Sequence, residues 1–258
     1  MNLRIAAQPR AFAQPFRKAL HTAAALGCDG VQFDARNEVR PAELSDTGLR
    51  QLRKMLDDLN LRVGSLVFPT RRGYADPMEL DRRVTATRDA MKLASQLKAR
   101  VLVCDLGQIP TADSGAMTTL IEVVTALGNH GNHLGVQLAA QARFDTFAQL
   151  ADLVAALPEG SLFWDLHPAR LLAAGHSPSE FISTLGQHIA HVHAADGVRD
   201  FATGRNLEVE LGRGAADFPA LLGQLEEFEY RGWVTIERRE SIQVVDDVAN
   251  AVKFLQAL

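Results

Sequence analysis

Eight short β-like runs alternate with helix-like segments along the 258 residues, and no other feature constrains the fold as tightly. The runs are Leu3 to Ala7, Gly30 to Asp34, Arg62 to Phe68, Arg100 to Asp105, Gly135 to Ala140, Leu162 to Leu166, Ile189 to Ala194 and Gly232 to Glu237. Several carry Val, Ile or Phe in blocks, as strands covered on both faces do. Strands that alternate with helices imply repeated βα units in a parallel sheet, and a count of eight predicts a closed (β/α)8 barrel. Between the runs, Leu49, Leu52, Leu56 and Leu59 recur at helical spacing, as do Leu80, Val84, Met91, Ala94 and Leu97. Phe218, Leu221, Leu222 and Leu225 form a third stripe, and Val244, Val248, Val252 and Leu255 a fourth. Ser45 with Asp46, and Asp217 ahead of Pro219, read as helix starts.

With 47% hydrophobic and 22% charged residues and no linker-like tract, residues 1–258 are expected to form one domain. The formal charge of −4 supplies no global positive field for nucleic-acid phosphates, so a small-molecule ligand is favoured. Cys28 and Cys104 are too few for a disulfide framework or a thiolate cluster, which points to a reducing, cytoplasmic setting. The first residues lead directly into a strand without a secretory pattern, and every apolar stretch stops short of the roughly 18 residues that span a bilayer.

In barrels of this kind the ligand site sits at the C-terminal ends of the strands. His191 and His193 lie two apart, so both imidazoles face the same side of their strand, where they could bind a metal or a substrate hydroxyl or serve as structural links. Glu237 closes the last run and would point into the barrel mouth; an ion pair with a nearby Arg is its structural alternative. Asp165 and His167 share a face of the sixth run, Asp165 being also a candidate acceptor of backbone amides. The loops at 69–77 and 196–217 follow strand ends and carry Arg71, Arg72, Arg199, Arg205 and Arg213, so they are expected to cover the site.

Ile189-Ala190-His191-Val192-His193-Ala194-Ala195-Asp196, then Leu211-Gly212-Arg213-Gly214, then Tyr230-Arg231-Gly232-Trp233-Val234-Thr235-Ile236-Glu237, resemble the C-terminal part of xylose-isomerase-like sugar isomerases and epimerases. The resemblance implies an α/β fold of the (β/α)8 TIM-barrel type and a divalent metal (Mn, Mg, Co or Zn) held by Glu, Asp, His and Glu from strands five to eight. It also implies proton transfer between adjacent carbons of a sugar or sugar phosphate, and a homodimer is in keeping with it. His193 and Glu237 match the third and fourth ligands, and Arg199 matches a substrate-contacting Arg of some epimerases.

Two positions depart from that pattern. Gln141 stands where the family has Glu, and His167 stands where it has Asp, giving Gln141, His167, His193 and Glu237 as the expected metal set, with Asp165 the alternative to His167. An amide cannot abstract a proton near neutral pH, and one carboxylate in place of three favours a borderline ion such as Zn, or none. Arg143 and Arg170 could replace the cation electrostatically and bind an anion. The expectation is therefore a sugar isomerase or epimerase with an altered metal site, catalysis resting on Glu237 and His193 and substrate contacts on Arg143, Arg170 and Arg199. Its alternative is a metal-free barrel that binds a sugar or a small anion.

Overall fold

The computed structural model describes residues 3–142, 146–199 and 206–258. Arg4–Ala7 (β1), Gly30–Asp34 (β2), Arg62–Phe68 (β3), Val101–Cys104 (β4), Gln137–Gln141 (β5), Phe163–Leu166 (β6), Ile189–Ala194 (β7) and Trp233–Ile236 form a closed parallel barrel. The last of these pairs with both β1 and β7, which closes the ring. All eight runs read from the sequence are barrel strands. The fifth begins two residues later than its apolar pattern suggests, because Gly135 caps the preceding helix in a left-handed conformation (φ +67°) and Val136 still donates its amide to the Gly131 carbonyl.

The helices Phe16–Ala25 (α1), Asp46–Asp58 (α2), Leu80–Gln96 (α3), Gly115–Leu134 (α4), Phe147–Ala155 (α5), Pro168–Ala173 (α6), Pro178–Leu185 (α7), Phe218–Glu227 (α8) and Val244–Gln256 (α9) follow the strands. Ser45 accepts from the Gly48 amide and Asp217 from the Ala220 amide, so both starts read from the sequence are capped as expected. The apolar stripes bury Leu49, Leu52 and Leu56 of α2, Met91 and Ala94 of α3, all four stripe residues of α8, and Val248, Val252 and Leu255 of α9. None of the described helices is long and apolar enough to cross a membrane.

Within the segment expected to be a loop at 196–217, Asp196–Arg199 (β8) and Asn206–Val209 (β9) pair as an antiparallel hairpin, and the barrel strand Trp233–Ile236 is accordingly β10. Polar residues and the absence of an apolar run hid this hairpin from a periodicity reading. Asp196 organises its base: the buried carboxylate accepts from the amides of Gly197, Gly212, Gly214 and Ala216 at 2.8–3.1 Å.

Period two along the strands separates the two ends of the barrel interior. The N-terminal end holds Trp233, whose ring lies so close to Gly30 and Gly64 that a Cβ at either position would come within 2.8 Å of it. Val101, Val103 and Ala139 pack the middle. Further along the same rows stand Gln8, Gln32 and Asp34, Asp105, Gln141, Asp165 and His167, His191 and His193, and Thr235 and Glu237. The apolar floor of the barrel thus gives way to a polar C-terminal mouth.

Candidate active site

Asp165 is the hub of the polar layer. Its carboxylate accepts from His191 Nδ1 at 2.7 Å, from His193 Nδ1 at 2.7 Å and from Gln141 Nε2 at 2.7 Å. All three partners and Asp165 itself are buried. Burial alone would push this carboxyl up, but the charge of His193 and the hydrogen bonds from both imidazoles outweigh it and hold it well below the usual carboxylate range. Asp165, His191 and His193 have the composition and spacing of a metal-binding triad, with ligand-type atoms within 4.8 Å of one another. In this conformation each of those contacts is a hydrogen bond, so the carboxylate orients both rings.

His191 Nδ1 faces Asp165, while its Nε2 faces the Thr235 hydroxyl at 2.8 Å and the Ser65 hydroxyl at 3.0 Å. Burial lowers its pKa against the raising effect of the Asp165 hydrogen bond. The contacts of His193 differ: its Nε2 faces Gln32 Oε1 at 2.9 Å and Glu237 Oε2 at 3.7 Å.

Glu237 follows β10 at the floor of the mouth. Its carboxylate accepts from His167 Nε2 at 3.0 Å and Gln8 Nε2 at 3.1 Å and forms an ion pair with Arg239, whose Nε lies 2.8 Å away. Burial opposes its ionisation, yet the adjoining His167, through charge and hydrogen bond, together with His193 and Arg239, holds it well below the usual range. His167 caps α6: its Nδ1 accepts the Arg170 amide at 3.4 Å, which fixes the ring proton on Nε2, the atom that donates to Glu237. Burial lowers the His167 pKa as well, more than the Glu237 charge raises it.

Gln141, at the end of β5, donates to Asp165 and accepts on Oε1 from the Arg170 guanidinium. Above these groups opens a cavity of about 610 Å³ whose lining includes Gln8, Arg10, Asp34, Asp105, Arg170 and Arg239. A second cavity, of about 880 Å³, lies at the opposite end among strand starts such as Arg4, Arg62, Gln137 and Trp233; the linked carboxylates and imidazoles are all at the C-terminal end.

The structure therefore brings Gln141, Asp165, His167, Arg170, His193 and Glu237 together around one mouth. Arg143 lies outside the described residues, and Arg199 ends β8 with a side chain that is likewise outside them. Missed in the sequence were Gln8, Gln32, Ser65 and Thr235, whose strand parity alone could have marked them, and Arg10, Asp34, Glu38 and Arg239 at the rim. Glu38 accepts the Asp34 amide at 3.2 Å, and its carboxyl is pushed up to about 7, by burial first and by the Asp34 charge as well. Cys104, which also lines the mouth, is an unreactive thiol, because burial raises its pKa further still.

Solved structures similar to this one include a xylose isomerase domain protein from Planctomyces limnophilus, at 20% identity and a TM-score of 0.83, covering 92% of this chain and 91% of that one. A xylose isomerase-like TIM barrel protein from Mycobacterium smegmatis in complex with magnesium has 21% identity and a TM-score of 0.81, covering 98% and 95%. The apo 3-keto-D-glucoside 4-epimerase from E. coli has 14% identity and a TM-score of 0.80, covering all of both chains. At these identities the likeness is one of fold. No curated protein matches the sequence significantly. The family assignment comes from the sequence profile of the xylose isomerase-like TIM barrels, which matches residues 20–258, and the chain belongs to that family.

Proposed function

We propose that this chain is a sugar isomerase or epimerase-like barrel that binds a small polyhydroxylated compound in its C-terminal mouth and moves a proton between adjacent carbons of it. The observation that carries the reading is the buried Glu237–His167 pair beneath a polar cavity. Epimerases among the structural neighbours, including a D-tagatose 3-epimerase-like protein, support it.

In this reading Glu237, ionised at neutral pH, takes the proton from the carbon beside the carbonyl to give an enediol and returns it to the former carbonyl carbon, while the proton of the adjacent hydroxyl passes to the former carbonyl oxygen, so atoms and electrons balance. The Nε2–H of His167 and the amides of Gln8 and Gln32 hold the carboxylate and the substrate oxygens in place. Gln141 cannot serve as a second base.

The test is deuterium incorporation from D2O into a set of keto-sugars and sugar phosphates. Wild type should label the carbon next to the carbonyl of at least one of them, and Glu237→Gln should slow that labelling by about 10²–10⁴-fold. Equal rates in both proteins, or no labelling by wild type, would remove Glu237 from a proton-transfer role.

A further inference from the structure

Among the described residues four guanidinium groups line the mouth, and three are matched by carboxylates. Arg10 meets Asp34 at 2.5 Å, Arg238 meets Glu208 and Asp247 at 2.7 Å each, and Arg239 meets Glu237 at 2.8 Å. Arg170 is the exception: among the described residues no carboxylate comes within 4.0 Å of it, and its hydrogen bond goes to the neutral amide of Gln141. It is half-buried, and burial lowers its pKa against the charge of Glu237.

The donor set expected to hold a divalent ion is spent in a way that suits this guanidinium instead. Gln141 Oε1 is occupied by Arg170. Both nitrogens of His167 are engaged, Nδ1 with an amide and Nε2 with Glu237. That leaves His193 Nε2 and Glu237 of the set, fewer than the three protein ligands of a zinc centre, and the carboxylate of Asp165, the alternative to His167, already accepts from His191, His193 and Gln141. Hard ions such as Mg prefer carboxylate oxygens, and the one carboxylate of the set already accepts two N–H donors and is paired with Arg239.

We propose that the Arg170 guanidinium takes the place of the family's divalent cation, and that it anchors a carboxylate or phosphate carried by the sugar-like ligand. A half-buried cation with no ion-pair partner among the described residues is costly until an anion meets it. The planar fork of Arg suits two-point capture of either oxyanion. Gln141 then acts as a positioning residue: its oxygen holds the fork while its amide is tied to Asp165. This inference rests on the mouth being a sugar-type site, as proposed above.

The experiment combines metal analysis of the purified protein and calorimetric titration with Mn and Zn with titrations of D-gluconate, D-glucose 6-phosphate, inorganic phosphate and neutral D-fructose. The titrations are repeated on Arg170→Ala and Arg170→Lys, with thermal melts to verify folding. The expected result is no stoichiometric metal and anion-dependent binding that Arg170→Ala weakens about 10- to 100-fold, the loss of one charge-assisted contact. Arg170→Lys, which keeps the charge without the fork, should fall between. Tighter gluconate than glucose 6-phosphate would identify a sugar acid, and the reverse a sugar phosphate. Stoichiometric metal, fructose binding equal to that of the anions, or anion binding that is absent or indifferent to Arg170 would overturn the inference. Metal with Glu237-dependent deuterium labelling would do so while leaving the proton-transfer reading standing; Arg170-dependent anion binding without any labelling would have the opposite meaning.

Discussion

Asp165 shows at the scale of a single residue how one carboxylate can orient a whole site. Its two oxygens receive three N–H groups in a fully buried setting, and exchange of one oxygen for an amide would set donor against donor. Asp165→Asn should therefore cost about 3 kcal/mol of stability, read by urea denaturation, because buried donors lose a charged acceptor. A cost under about 1 kcal/mol would mean that the imidazoles hold their places without it. The sequence put Asp165 and His167 on one face correctly. It could not say which would lie deep among imidazoles and which would sit at the mouth beside Glu237, since that depends on how far each strand rises in the closed barrel.

Among the elements, α4 reaches the barrel through a glycine surface. A Cβ on Gly128 would stand 2.5 Å from Ser161 Cα and 2.6 Å from its carbonyl oxygen, just before β6. Gly128→Ala should push helix and strand apart and cost about 1–3 kcal/mol, measured as a lower melting temperature. An unchanged melting temperature would show that the approach relaxes freely. The stripe of α4 was not among those read from the sequence. The closeness of its approach was not legible either, because a glycine within a helix gives no sign of which backbone it meets.

For the whole molecule, pH sums opposing contributions. Burial lowers His167 and His191 below their ordinary 6.5, so below that pH the unfolded chain takes up protons that the folded chain refuses, and stability falls with pH. Asp165 extends the loss as pH passes down through 3.8, because its folded pKa is depressed. Glu38 acts oppositely: raised from 4.5 to about 7, it contributes fully below 4.5 and loses that contribution as pH rises through 7. Glu38→Gln should thus steepen the fall of stability between pH 7 and 4.5, followed by denaturation at a series of pH values. A slope identical to that of wild type would show that Glu38 does not titrate in this window.

Hydrophobic periodicity by itself determined the eight strands, the apolar helix stripes and the barrel, because burial of a strand or a helix face is a local pattern repeated along the chain. Period two likewise paired His191 with His193 and Asp165 with His167. Only the tertiary structure decided the hydrogen bond that joins Arg170 to Gln141, the His167–Glu237 pair and the β8–β9 hairpin held by Asp196. These contacts join strands and loops across the closed ring, where partners are set by distance in space and carry no spacing in the sequence.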